Sequence, residues 1–512
     1  MQIVDDRAVL LRLRDPERVT DVIPKSKKMS EDEVLVRWGL DEALVLKNLN
    51  ITIPSPIMNT YKWPGRYTPF DHQKETAGFL TLHKRAFCFN EQGTGKTGSA
   101  IWASDYLMSI GRIKRVLVVC PLSIMDSAWK SDLFKLAMHR TTDIAYSKNA
   151  AKRKEIIKGG AEYVIINYDG IEIVKKEIAE GGFDLIIIDE ATHYKNPTTA
   201  RWKVLNRLLK KDTWLWLMTG TPAAQSPIDA YGLAKLVNPN NVPKFASGWR
   251  DTVMNKITQF KWVPKRGATE TVHRVLQPAI RFTKEECLDL PEMVYVDRDV
   301  QLTSQQTKYY NKLKKNMIMS AAEHQVTAVN AAVNLNKLLQ ISCGAVYTDD
   351  GETLEFDIGN RYKVLKEVID ESSNKVLVFI PFRHVIDVLE ECLKKDNIST
   401  GIIRGDVPVN RRTDLFNKFQ TQLNPQVLLI QPQAAAHGVT LTAADTVVWW
   451  GPTSSLETYL QANARVHRAG QVNKCTVVHI RGSSVENHIY AMLSKRIDSH
   501  SRILDLYKEI LD

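Results

Sequence analysis

The chain has 512 residues, 44% of them hydrophobic, which at roughly 150 residues per domain allows two or three domains with cores of their own. A formal net charge of +11 favours a polyanionic partner such as nucleic acid. Six scattered cysteines without CxxC spacing argue against zinc ribbons and disulfide scaffolds, a charged N-terminus argues against a signal peptide, and no apolar run reaches the ~20 residues of a membrane span, so a reducing, cytoplasmic compartment and no membrane partner are expected.

Residues 1–66 carry apolar runs at 8–13 and 34–38 that predict strands and one at 42–49 that predicts a helix, with a basic loop at 24–28. They are expected to form a small α+β accessory domain, left by a Pro- and aromatic-rich linker at 54–69. Gln73 then opens a helix. Its amide offers one donor and one acceptor, matching the donor–acceptor edge of adenine.

From 67 to 240, short apolar runs at 86–89, 115–120, 163–166, 183–189 and 214–218 alternate with helical stretches, the pattern of a parallel sheet covered on both faces. A second series at 376–380, 401–403, 427–430, 446–450 and 476–480 predicts another such domain over 361–512. The expected fold class is α/β, with two doubly wound parallel-sheet lobes. Between them, 241–360 loses the strand pattern and reads as an inserted helical and basic region. Arg250, Lys256, Lys261, Lys265 and Arg266 alternate with Trp262, which fits either a nucleic-acid-tracking surface or an ordinary solvated face. Residues 304–341 are helical in character.

The run 86–89 leads into Asn90-Glu91-Gln92-Gly93-Thr94-Gly95-Lys96-Thr97 and then a helical pattern. Strand, glycine loop, Lys-Thr and helix form a cradle for the phosphates of ATP. Gly93 and Gly95 let the backbone N–H groups of the stretch, Gln92 and Thr94 included, turn toward phosphate oxygens, and the helix N-terminus adds its partial positive charge. Lys96 reaches the β/γ-phosphates, and the Thr97 hydroxyl ligates Mg²⁺. Asn90 stands where the strict pattern has Gly. The run 183–189 ends in Asp189-Glu190-Ala191-Thr192, acidic residues at the C-terminal end of a parallel strand, where ligands of such sheets bind. Asp189 is expected to hold Mg²⁺ through water, and Glu190 to orient and deprotonate the attacking water. Thr219-Gly220-Thr221-Pro222 suits a switch loop that senses the γ-phosphate. In the second lobe, Arg465 and Arg468 are three apart in QANARVHRAGQ and would share one face of a helix. An arginine delivered from a facing domain stabilises the transferring phosphoryl group, an effect of about 10³–10⁵ in rate.

GTGKT, DEAT, TGTP and QANARVHRAGQ, in this order, resemble the superfamily-two helicase-like ATPases. The flanking residues Val118-Val119-Cys120-Pro121-Leu122-Ser123 with Trp129, DEATHYKN at 189–196, Leu441-Thr442-Ala443-Ala444-Asp445-Thr446-Val447 and Arg465-Val466-His467-Arg468-Ala469-Gly470-Gln471 narrow the resemblance to Swi/Snf-type DNA translocases. It covers roughly 67–495 and implies two RecA-like lobes with ATP in the cleft, catalysis by Lys96, Asp189, Glu190, Arg465 and Arg468, and Gly438 among the nucleotide contacts. It also implies movement along double-stranded DNA without obligatory strand separation, with loops at 121–123, 167–168, Arg383 and 433–440 as candidate backbone contacts. Strand-separating helicase action on DNA or RNA, and ATP-driven remodelling of a protein partner such as RNA polymerase, are the alternatives. Residues 1–66, which hold no motor motif, would be the docking site for such a partner. Thr192, Ala464 and Thr440 depart from the family pattern at His, Asp and Asn positions. The near-minimal motor fits a bacterial or phage-infected cell, and a nucleus if the source is eukaryotic.

Overall fold

The computed structural model describes residues 1–510 except 221–225, 259–261, 288–289, 324–327, 348–352, 435–438, 469 and 496–509. The chain divides into two units, Met1–Cys287 and Leu288–Asp512.

The first unit opens with β1 (Gln2–Val4), β2 (Ala8–Arg12), β3 (Lys27–Lys28) and β4 (Glu33–Arg37), an antiparallel sheet in the order β1-β2-β4-β3. Val9 and Leu11 of β2 and Val34 and Val36 of β4 alternate onto one face and close a core with Trp38 and with Leu46 of the helix Leu40–Asn48. Residues 54–66, the larger part of the stretch 54–69 expected as a linker, are instead built into the unit. Ile57 is fully buried, Ser55 and Thr81 share a 2.7 Å hydroxyl hydrogen bond, Trp63 meets Trp102 edge-on, and Trp102 Nε1 donates to Pro64 O at 3.0 Å. Proline and aromatic residues break periodicity, which reads as linker. The rings nonetheless carry large apolar areas, and here those areas are buried.

The main sheet of this unit contains β5 (Arg85–Cys88), β6 (Val116–Cys120), β7 (Thr142–Ile144), β8 (Tyr163–Asn167), β9 (Leu185–Asp189) and β10 (Trp214–Met218). With a short later strand, Ala279–Ile280, at the edge beside β5, the order continues β5-β10-β9-β6-β8-β7, with every pairing parallel. The apolar runs are continuous because both faces are covered. Phe87, Leu117, Val119, Ile186, Ile188, Leu215 and Leu217 fall in one core, while Cys88, Val116, Val118, Leu185, Ile187, Trp214 and Trp216 fall in the other. Beyond β10 come a hairpin of β11 (Met254–Lys256) and β12 (Trp262–Pro264), then β13 (Ala279–Ile280), which adds to the edge of the sheet beside β5. Arg250 lies over the Trp262 ring at 4.4 Å.

In the second unit, β14 (Met293–Asp299) is followed by helices Ser304–Glu323 and Ala328–Cys343 and a hairpin of β15 (Ala345–Tyr347) and β16 (Thr353–Glu355). Then come β17 (Lys375–Phe379), β18 (Thr400–Ile403), β19 (Val427–Ile430), β20 (Ala444–Trp449) and β21 (Cys475–Arg481), in a parallel sheet ordered β14-β21-β20-β17-β19-β18. Arg361 and Glu486, both buried, pair at 2.7 Å beneath Trp450.

The stretch 241–360, expected to lose the strand pattern, contains six strands among its described residues. β11, β12, β13, β15 and β16 have two or three residues each, too few to show a period. β14 is an edge strand whose exposed face carries Tyr295, Asp297 and Asp299, so it lacks the all-apolar run of the central strands. The insertion is also shared between the units, with β11–β13 on the first and β14–β16 on the second.

Candidate active site

The loop from β5 to the helix Lys96–Ser109 is shaped by two glycines in the left-handed region, Gly93 at φ 88° and Gly95 at φ 81°. At Gly95 the left-handed backbone favours glycine, and a Cβ would also stand 1.9 Å from Gln73 Nε2 and displace that amide. Thr94 is held from both sides. Its hydroxyl donates to Glu91 O at 2.7 Å, and its carbonyl accepts from Gln73 Nε2 at 3.2 Å and lies 2.8 Å from His72 Nε2. Gln73 therefore sits in the first turn of the helix Asp71–Thr81, and its Oε1 accepts from Phe70 N at 3.0 Å.

Lys96 is 8% exposed and donates from Nζ to Asn90 O at 2.9 Å and Glu91 O at 3.2 Å. Thr97 follows in the first helical turn. Asn90 is 1% exposed and bridges two elements: Nδ2 donates to Thr76 Oγ1 at 2.8 Å, and Oδ1 accepts from Phe282 N at 3.0 Å. Glu91 continues the join, with its N–H on Phe282 O at 2.9 Å and its Oε2 accepting from Lys284 N at 3.3 Å.

Asp189 ends β9, two strands from β5. Its Oδ2 accepts from Trp129 Nε1 at 2.9 Å and its Oδ1 from Glu190 N at 3.0 Å. Burial pushes its carboxyl up from the ordinary aspartate value, and the Lys96 charge pulls it back. Glu190 adopts φ 49°, a left-handed conformation that costs a side-chain-bearing residue about 1–2 kcal/mol. Tyr168, expected near nucleic acid, turns its hydroxyl inward and donates to Asp189 O at 2.6 Å. Gln92 Nε2 reaches Glu190 Oε1 at 3.5 Å, so loop and acidic pair are in contact. Gly220, at the end of β10, lies against Gln92, while Thr221 and Pro222 of the expected switch loop lie outside the described residues.

The donor set fits a nucleoside triphosphate with a divalent cation. Positive-φ glycines and a helix N-terminus present N–H groups, a buried ammonium already bonds two oxygen acceptors, and a buried carboxylate lies within its electrostatic reach.

In the second unit, the helix Leu456–Asn463 ends before both arginines, which corrects the expectation of a shared helical face. Asn463 is fixed by Trp449 Nε1 at 2.9 Å, and the chain turns after it. The turn still brings the pair together: Arg468 donates to Val439 O at 3.1 Å and Arg465 to the same oxygen at 3.4 Å. Gln471 pins the turn, donating to Ala444 O at 2.9 Å and accepting from Val472 N and Asn473 N. Gly438, expected among the nucleotide contacts, lies outside the described residues, as do 435–437 of the expected contact loop. Arg383 starts the helix Arg383–Lys395 and pairs with Asp406 at 2.5 Å.

The bridging by Asn90 and the hydrogen bond from Trp129 to Asp189 have no local sequence signal, because their partners lie 192 and 60 positions away.

A family model described as the SNF2-related domain matches residues 72–344, spanning the phosphate loop, the acidic pair and the connection into the second unit. The chain belongs to the SNF2 family. The helicase conserved C-terminal domain matches 360–470. Among SNF2-type relatives, an uncharacterised ATP-dependent helicase of Mycoplasma genitalium is 26% identical over 76% of this chain and 37% of its own. The nuclear protein STH1/NPS1 of Saccharomyces cerevisiae is 25% identical over 83% of this chain and 34% of its own. A protein of Acyrthosiphon pisum secondary endosymbiont phage 1 is 23% identical over 87% of this chain and 99% of its own. This chain thus spans about a third of the first two and nearly all of the third. The SWI2/SNF2 ATPase core of Sulfolobus solfataricus, solved in complex with dsDNA, aligns with 88% of this chain and 97% of its own, at 21% identity and a TM-score of 0.42.

Proposed function

We propose that this SNF2-family chain is a DNA-stimulated ATPase that moves along duplex DNA and remodels DNA or what is bound to it, without obligatory strand separation. The observation that carries the reading is the meeting, in one unit, of a glycine-loop ammonium, Lys96, with a buried strand-end carboxylate, Asp189, and its neighbour Glu190. Gln73 and the loop Gln92–Thr97 bind the nucleotide, Lys96 draws the β/γ-phosphates, and Glu190 orients and deprotonates the attacking water. Thr97 and Asp189 are the residues to hold Mg²⁺. The cation, when bound, offsets negative charge on the phosphoryl oxygens. Arg465 and Arg468, gathered at Val439, are the candidates to stabilise charge on the transferring group. Loops at 121–123, Arg383 and 433–440 are proposed to touch the DNA backbone, and residues 1–66 to take any protein partner. No described helix is long and apolar enough to cross a membrane. The likeness over nearly the full length of a phage protein supports action in a bacterial or phage-infected cell.

Lys96→Ala and Glu190→Gln are expected to abolish ATP turnover while leaving DNA binding in place. Unchanged turnover in either variant would sink the assignment. ATPase assays without nucleic acid and with single-stranded DNA, duplex DNA or RNA test the track, and strongest stimulation by RNA would exclude it. The helicase name of the mycoplasma relative keeps strand separation as a second reading. Triplex displacement without duplex unwinding decides between the two.

A further inference from the structure

The helix Ser304–Glu323 is anchored by one face. Gln306, Tyr310 and Met317 are buried, at 4%, 7% and 1% exposure, and Leu313 packs on the same core. Gln306 Nε2 donates to Ile341 O at 2.9 Å, and the Tyr310 hydroxyl lies 3.2 Å from Ser484 Oγ. At about 100° per residue, the position two residues beyond each anchor points about 200° away, out from the protein. Three of those positions are Lys308, Lys312 and Lys315, all exposed. Lys314 lies beside them, half-buried. None of these four lysines makes an ion pair among the described residues. The helix has no acidic residue before Glu323, and its neighbour Ala328–Cys343 has Lys337 and no acid at all.

A solvated helix commonly alternates signs, because pairs three or four apart stabilise it. Here like charges stand four and three apart, an arrangement that slightly destabilises the helix on its own. The repulsion is relieved by a polyanion. From Lys308 to Lys315 the rise is about 10 Å at 1.5 Å per residue, long enough for the three ammonium groups to reach neighbouring phosphates of one duplex strand. Between Lys308 and Lys315 the line itself carries only lysines; exposed Tyr309 stands beside it, and exposed Ile318 and Met319 follow one turn beyond Lys315. Three like charges in a row, with no acid on the same helix before Glu323, complement the evenly spaced charges of a phosphate backbone.

We propose that Lys308, Lys312 and Lys315 form a phosphate-contacting stripe in the second unit, which follows the backbone of one strand of double-stranded DNA without reading its bases. The proposal rests on the reading of the chain as a duplex-DNA motor and adds a contact surface to it.

The test measures binding of a labelled duplex of mixed sequence by the full chain, using fluorescence anisotropy between 50 and 200 mM salt. Removing one lysine–phosphate pairing lowers the slope of log affinity against log salt by about 0.9. The triple variant Lys308→Gln, Lys312→Gln, Lys315→Gln should therefore lower the slope by about 2–3. A control triple, Lys152→Gln, Lys158→Gln, Lys175→Gln, removes the same charge from exposed sites on the first unit and should leave the slope near that of the native chain. Glutamine has nearly the helix propensity of lysine, so circular dichroism should be unchanged. If the triple variant loses helix signal, Lys312→Gln alone should still lower the slope by about 0.9. A native slope in the stripe variants, or an equal drop in the control, overturns the stripe and leaves the motor reading standing. Absence of any salt-dependent duplex binding by the native chain overturns both. Loss of competition by polyglutamate with no change on the duplex would assign the stripe to an acidic protein and overturn the proposal.

Discussion

Asn90 shows how one side chain can serve a phosphate loop without touching phosphate. Its carbonyl holds the Lys96 ammonium, while its side chain ties the loop to Thr76 on one side and to Phe282 on the other. A glycine here would shape a loop but join nothing. Asn90→Ala would leave the Phe282 N–H and the Thr76 hydroxyl without these bonds in a buried place, a loss of about 2 kcal/mol or more. The urea midpoint of the first unit, followed by tryptophan fluorescence, should fall accordingly. A shift worth less than about 0.5 kcal/mol would show that solvent replaces the bridge.

Among the elements, the segment 54–66 behaves as a strap rather than a tether. Gly65, at φ 111°, passes so close to the end of the helix Ser131–Leu136 that a Cβ would stand 2.6 Å from Leu136 Cα, and Arg66 N donates to Lys135 O at 2.9 Å. Both the left-handed backbone and the close approach exclude a side chain, so Gly65→Ala should lower the melting temperature by several degrees. An unchanged melting temperature would mean that the strap carries no stability. Central strands such as Val427–Ile430 and Trp214–Met218 were legible residue for residue, because burial on both faces leaves an unbroken apolar run. Most edge strands were not, since half their side chains face water and several have only two or three residues; β18, read at 401–403, is an exception. The strap was illegible for a different reason: its partners, Thr81, Trp102 and Lys135, are distant in sequence, and proline-rich composition looks the same whether packed or free.

For the whole molecule, each unit has its own buried cores, so each meets the physical requirement for folding by itself. The proposed catalytic groups are divided between them, with Lys96, Asp189 and Glu190 in the first and Arg465 and Arg468 in the second. A fragment ending at Cys287 is thus expected to unfold cooperatively and to bind a fluorescent ATP analogue, yet to turn over at least about 10³-fold more slowly than the full chain. Turnover at the native rate would remove the arginines from the mechanism. The motifs on the two sides of this division were legible because phosphate chemistry demands particular residue types at short spacings. The closeness of Arg465 and Arg468, expected from a helical face, comes instead from the turn after Asn463, because Gln471 and Val439 hold the chain there by contacts no short motif encodes.

Glu190 is one of the few described residues other than glycine held in the left-handed region. Its left-handed backbone favours glycine or asparagine, and a long acidic side chain there is a choice that folding alone opposes. Glu190→Asn should therefore raise the melting temperature while ending turnover, and a lower melting temperature would refute the strain. A lineage that ceased to need ATP hydrolysis would gain stability by losing this residue, so decay of function at this position would be favoured by selection for folding rather than merely tolerated.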